Sequence, residues 1–221
     1  MSDVDIVIVD YGIGNLRSVQ KAFERAGASA AISDSPSDIA AADALVLPGV
    51  GAFQDAMTEI HARGLVTVLR KEVAEKRKPL LGICLGMQLI ARSSTEGGEC
   101  DGLGLIPATV ERLDIEARKN WAGRKITLPH IGWNAVHPES GSRLFADIPS
   151  ESDFYFVHSF HVVCDRDSMA AATCDYGLEF TCAIEHENIF AAQFHPEKSQ
   201  HHGTKLIENY IHICAESRGS A

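Results

Sequence analysis

Gly82-Ile83-Cys84-Leu85-Gly86 is the string whose residue types and spacing point most directly to chemistry. A cysteine with glycines two positions away on each side, leaving an apolar run and opening a helical pattern, has the layout of a nucleophile elbow. Glycines relieve the crowding of so sharp a turn, and a helix N-terminus favours the thiolate, the reactive form of cysteine. A buried core cysteine between two packing glycines would leave the same five letters. The base that such a nucleophile requires stands at Phe194-His195-Pro196-Glu197. Proline keeps His195 extended, and residues two apart on an extended chain face the same way, so the imidazole and the Glu197 carboxylate can be neighbours. A carboxylate on one ring nitrogen sets tautomer and orientation and leaves the other nitrogen for the cysteine proton. His130, His137, His158 and His161 lack a carboxylate at that spacing, and His186, between Glu185 and Glu187, falls in an expected turn.

Weaker strings surround these two. Pro48-Gly49-Val50-Gly51 can turn backbone amides toward an anion or a developing oxyanion, although such turns also exist only to make a corner. Tyr11-Gly12-Ile13-Gly14-Asn15 lacks the third glycine of a dinucleotide fingerprint, so no nicotinamide site is expected there. His158-Ser159-Phe160-His161 would put its imidazoles on opposite faces of one strand, and His201-His202 are adjacent, so no metal is expected. The six cysteines form no C-x-x-C pair, and all but Cys84 are expected to be buried thiols. No cofactor is implied by any of these strings.

The elements that must hold these residues follow from apolar patterning. Ile6 to Val9, Ala44 to Leu47 and Pro79 to Ile83 are short apolar runs suited to strands buried on both faces. Helices are expected over Leu16 to Ala26, stopped by Gly27, and over Leu65 to Arg77 and Leu85 to Ala91. From Ala108 onward the pattern turns to strands: Ala108 to Leu113, one long stretch from Phe154 to Val163, Met169 to Thr173, Phe180 to Glu185 and Ile189 to Phe194. A last helix carries Leu206, Tyr210, Ile213 and Cys214 on one side. The expected fold is α/β: one domain over 1–221, a mostly parallel flavodoxin-like open sheet flanked by helices, with antiparallel strands added in the second half. The chain has 221 residues, 45% of them hydrophobic, and a net charge of −10, which disfavours nucleic acid and anionic lipid as partners. No apolar run approaches the ~18 residues of a membrane helix, and the acidic start is unlike a signal peptide, so a cytoplasmic location is expected.

Taken together, the strings at Pro48 to Gly51, Gly82 to Gln88, His158-Ser159 and Phe194 to Glu197 resemble, in order and spacing, the class I (triad) glutamine amidotransferases. Asp10 to Leu16, Pro129-His130-Ile131-Gly132-Trp133-Asn134 and Lys198-Ser199-Gln200 resemble more narrowly the branch of that family that passes ammonia to a separate cyclase subunit in histidine biosynthesis. The resemblance implies Cys84, His195 and Glu197 as the catalytic set and amides of Leu85 and of the Val50/Gly51 turn at the oxyanion. It further implies Gln88, Glu96 and the Ser159/Phe160 backbone as the holders of glutamine, and Asn15, Trp133 and Lys198 at a heterodimer interface. A glutaminase subunit serving another synthase, for example one aminating a surface sugar, shares these strings. Phe160 is followed by His161 where many family members carry a second aromatic residue.

Overall fold

The computed structural model describes residues 4–115 and 125–218. Strand β1 (Asp5–Val9) illustrates how the sequence builds the sheet. Ile6 and Ile8 enter one hydrophobic core, while Val7 and Val9 enter another on the opposite face. A strand apolar at every position can only be satisfied between two helical layers. The same alternation runs through β3 (Ala44–Gly49), where Ala44 and Val46 face one core and Leu45 and Leu47 the other. Helices α1 (Leu16–Arg25) and α6 (Gln200–Arg218) cover the first face, with Phe23 edge-on to Tyr210 at 6.3 Å. Helices α3 (Phe53–Ala62), α4 (Leu65–Arg70) and α5 (Leu85–Leu89), with the shorter α2 (Pro36–Ala41), cover the second.

With β2 (Ser29–Ser33), β4 (Leu80–Cys84), β8 (His130–Pro138), β9 (Ser152–His158), β11 (Ala170–Asp175), β12 (Glu179–His186) and β13 (Ile189–Ala192), a nine-stranded sheet forms. Its order is β2-β1-β3-β4-β13-β12-β11-β8-β9. The first five strands are parallel and the remainder antiparallel; β13, expected among the antiparallel additions of the second half, instead runs parallel to β4 and closes the parallel half. A second sheet of four strands comprises β5 (Ser93–Ser94), β6 (Cys100–Asp101), β7 (Ala108–Arg112) and β10 (Phe160–Cys164).

Several expectations need correction. The long stretch from Phe154 to Val163 is two strands in two different sheets, because the chain breaks at Ser159 and β10 leaves to pair with β7. His158 and His161 therefore do not share a strand, and alternation along one strand is not what separates them. Among the described residues, no group of three His, Cys, Asp or Glu side chains could hold a metal ion. The helix expected over Leu65 to Arg77 is α-helical only to Arg70 and then widens into a π-type turn over Lys71–Glu75, closed by Arg77 at φ 61°. Strands β2 and β8 and helix α2 carry too little unbroken apolar pattern to be read locally, and β2, for instance, has no fully buried residue. Helix α3 escaped the sequence reading although Phe53, Ala56, Met57 and Ile60 form a helical stripe, all buried. Cys100 and Cys164 are half-buried, unlike Cys174, Cys182 and Cys214. No described helix is long and apolar enough to cross a membrane.

Candidate active site

The nucleophile, its base and the turn beside them leave the carboxyl ends of parallel strands, where open α/β sheets place their ligands. From β1 comes Tyr11, from β3 the turn Val50-Gly51, from β4 Cys84, and from β13 the run Gln193 to His195. Cys84 sits at φ 54° and ψ −110°, outside the regions an L-residue adopts without strain. The flanking glycines are required by contact as well as by turn. A Cβ on Gly86 would stand 1.7 Å from the Leu47 carbonyl oxygen, and one on Gly82 would stand 2.9 Å from the Gly86 carbonyl oxygen. The elbow thus nests α5 against β3 and leaves the thiol at the mouth of a cavity of 360 Å³, at the small end of the range for small-molecule sites.

His195 lines the same cavity. Its Nδ1 lies 2.8 Å from Glu197 Oε1, and both side chains are almost wholly buried. The backbone is pinned as tightly: His195 N–H donates to the Tyr155 carbonyl at 2.9 Å, and Ser199 Oγ–H donates to the His195 carbonyl at 2.7 Å. Nε2 makes no hydrogen bond to another protein group, and the thiol turns instead to the Val157 carbonyl at 3.9 Å. Burial works against a charged imidazole, but Cys84 and Glu197 outweigh it and push His195 up to about 9. At neutral pH the His195 ring is therefore held in its protonated form.

The family comparison decides what such an arrangement belongs to. Residues 7–214 match the family described as glutamine amidotransferase class-I. The chain belongs to that family. This amidotransferase is 48% identical over 205 residues to the imidazole glycerol phosphate synthase subunit HisH of Moorella thermoacetica, covering 93% of each chain. It is 46% identical to that of Syntrophotalea carbinolica, covering 93% of this chain and 98% of the relative. Among solved structures, a putative GMP synthase protein from Thermoplasma acidophilum superposes with a TM-score of 0.74 at 22% identity, covering 100% of this chain and 98% of that one, which shows the shared fold.

The remaining expected residues of this amidotransferase fall into two groups. Val50, Gly51, Leu85, Gln88, Glu96, Ser159 and Phe160 all line the cavity with Cys84 and His195. Gln88 spends its amide hydrogens on the Phe160 carbonyl and on Gln193 Oε1, each at 3.0 Å, so its own Oε1 is left for the cavity. Glu96 keeps one oxygen free, the other accepting the Phe53 N–H at 2.9 Å. The Ser159 and Phe160 carbonyls are already engaged, by Leu113 N–H in the first case and by His158 and Gln88 in the second. The Phe160 carbonyl is thus fully used, leaving the N–H groups and the Ser159 hydroxyl and carbonyl of this segment for a ligand. Trp133 and Lys198 lie apart from the cavity, both exposed against Tyr155, with ring centroids 5.9 Å apart in the first case and Nζ 5.7 Å above the ring in the second. Asn15 is exposed at the N-cap of α1 and makes no capping bond with its side chain.

Two residues escaped the sequence reading. Gln193 is fully buried and links the two halves of the site, accepting from Gln88 and donating to Cys84 Sγ at 3.9 Å. The only signal in sequence was its place two residues before His195, just past the end of β13. Tyr11 is buried beneath the elbow and donates to the Pro48 carbonyl at 2.8 Å, anchoring the strand end that leads to Val50. Burial and the neighbouring Cys84 push its phenol above the usual range. Nothing local marks Tyr11, since its partner is 37 residues away.

Replacing Glu197 with Gln keeps the shape and removes the charge. The expected result is a fall in glutamine turnover of about 10²-fold or more, the scale of a general acid–base contribution. Stability should change with a defined sign. A histidine raised from 6.5 to about 9 on folding stabilises fully below 6.5, and that contribution is lost as pH rises through 9. Removing the carboxylate lowers the raised value, so thermal midpoints measured from pH 6 to 9.5 should fall less steeply in Glu197→Gln. An unchanged slope would dissociate Glu197 from the imidazole.

Two buried histidines titrate in the opposite direction. Burial lowers His130 to about 4, and burial first, then neighbouring imidazoles, lowers His158 to about 3. Both bind protons in the unfolded chain near 6.5 but not in the folded one, so stability present above 6.5 is lost as pH falls toward 4 and 3. Two such groups contribute a slope of up to about 2.7 kcal/mol per pH unit. Urea midpoints between pH 7 and 4.5 should show it, and His130→Phe should reduce it; equal slopes would contradict the neutral burial of His130.

Proposed function

We infer that this amidotransferase is the glutaminase subunit of an imidazole glycerol phosphate synthase, releasing ammonia from glutamine for a cyclase subunit in histidine biosynthesis. The whole chain, 1–221, would act as one amidotransferase domain in the cytoplasm, requiring neither metal nor cofactor. The observation that carries the chemistry is the His195 ring, one nitrogen on Glu197 and the other unengaged in the cavity it shares with Cys84.

The steps follow from where the proton rests. Cys84 attacks the side-chain amide carbon of glutamine as a thiolate paired with the His195 imidazolium, placing negative charge on the carbonyl oxygen. Amides of Leu85 and of Val50 or Gly51 stabilise that oxyanion. The C–N bond then breaks as His195 gives its proton to the departing nitrogen, leaving ammonia and a γ-glutamyl thioester. The neutral imidazole next takes a proton from water, whose oxygen attacks the thioester; glutamate departs and the thiolate–imidazolium pair is restored. Glu197 stabilises the imidazolium in both halves. The two free acceptor oxygens, on Gln88 and Glu96, suit the α-ammonium group of an amino acid substrate.

Val50, Ile131 and Trp133 are exposed apolar side chains, 37%, 58% and 46% accessible. With Lys198 and Asn15 they offer the surface for the cyclase subunit. The test is glutamate release from glutamine by the chain alone, with a histidine-pathway cyclase, and with that cyclase plus its nucleotide substrate. Strong stimulation in the last state is expected, because an unproductive Val50/Gly51 turn in the isolated chain would prevent waste of glutamine. No stimulation by a competent cyclase would assign the glutaminase to a different synthase.

A further inference from the structure

Three hydrogen bonds, all running one way, connect an outer cavity to the wall of the site. The Phe160 carbonyl can only accept, so His158 Nδ1, at 2.8 Å, carries a proton. A neutral His158 then presents a bare Nε2, and His130 Nδ1, 3.0 Å away, must donate to it. That leaves His130 Nε2 bare in turn, 3.4 Å from the Asn134 amide nitrogen. Asn134 cannot turn its oxygen there without loss, because Oδ1 accepts the Ala135 N–H at 3.2 Å and Nδ2 also donates to the Asp175 carbonyl at 2.9 Å. His130 has no room to rotate: its ring is stacked between Phe156 at 4.7 Å and Tyr176 at 3.9 Å, each inclined by 18°, with Phe180 edge-on.

We propose that Asn134 and His130 are positioning residues for the glutamine pocket: they impose the Nδ1–H tautomer on His158 and so hold the Phe160 carbonyl that orients Gln88. The inference rests on the reading of this cavity as the glutamine site. The other tautomer of His158 would set an N–H against His130 and a lone pair against the Phe160 carbonyl, two repulsions in place of two bonds. Gln88 donates to that same carbonyl, which is what turns its Oε1 toward the cavity. The outer end of the relay, His130 and Asn134, lines a separate cavity of 630 Å³ together with Trp133 and Tyr176.

The test combines imidazole nitrogen NMR of the full chain with glutamine titration in a Cys84→Ala background, where glutamine binds without turning over. Both His130 and His158 are expected as Nδ1–H tautomers. His130→Phe keeps a ring in the stack and removes both nitrogens; His158 should then become a tautomer mixture and glutamine affinity should fall about five- to tenfold, the scale of one well-placed hydrogen bond. Asn134→Leu, at a partly exposed position that leaves the core intact, should weaken affinity about two- to threefold and mix the tautomers of His130. Nε2–H signals for His158 in the wild-type chain, or unchanged affinity in a folded His130→Phe, would overturn the proposal. Absence of glutamine binding with His130 intact would instead remove the glutamine reading itself, and this role with it.

Discussion

Cys84→Ala should abolish glutamate release, lowering turnover by at least about four orders of magnitude in the presence of the cyclase subunit, the scale on which loss of a covalent nucleophile is felt. No other cysteine lines the cavity. The remaining cysteines lie elsewhere in the fold, and the polar groups around the elbow, Gln193 and the Val157 carbonyl, are not nucleophiles. The fold should survive, because the sulfur makes only two long hydrogen bonds and alanine occupies φ 54° no less readily than cysteine. His195 supplies a second readout. Since Cys84 is one of the groups holding its imidazole near 9, the ring in Cys84→Ala should titrate at lower pH, with burial left opposed by Glu197 alone. A variant that keeps a tenth of wild-type turnover, or whose His195 titration does not move, would move the chemistry away from Cys84.

Gly86→Ala should be severely damaging, with the closest approach among the described glycines. The added carbon would stand 1.7 Å from the Leu47 carbonyl oxygen and 2.8 Å from its carbon, both backbone atoms of a central strand. Such a clash is relieved only by prising α5 away from β3, which breaks the elbow and the core beneath it. The expected cost is more than about 4 kcal/mol, seen as loss of soluble protein or a thermal midpoint lower by at least about 8 °C. Gly27→Ala is the control. Gly27 also has positive φ, 93°, but nothing lies within 4 Å of its added carbon, so only backbone strain of about 1 kcal/mol should appear. Similar midpoints for the two variants would mean that the close approach at the elbow is not what Gly86 serves.

Much of this architecture was readable in advance because it rests on local rules. Ile6 to Val9 and Ala44 to Leu47 are apolar at every position, which only a strand covered on both faces can satisfy, and these are the strands with a hydrophobic core on each side. The elbow was readable for a similar reason. The strained Cys84 conformation belongs to one turn, and the small residues beside it permit that turn, although the close approach that makes Gly86 irreplaceable is to Leu47 on the neighbouring strand. His195 and Glu197 do meet, but not on extended backbone: Pro196–Lys198 form a 3-10 turn, and it is this local turn that brings the Glu197 carboxylate to Nδ1 at 2.8 Å.

The sequence by itself therefore determined strands β1, β3 and β4 of the parallel half, the elbow and the imidazole–carboxylate pair. Only the tertiary structure decided that Ser159 divides two sheets, that Tyr11 anchors Pro48, that Gln193 bridges Gln88 to Cys84, and that His130 lies on His158 between two aromatic rings. The physical reason is range. A turn or a period of two is written within a few neighbouring residues, whereas a bond such as Gln88 to Phe160 exists only once distant strands have been placed side by side.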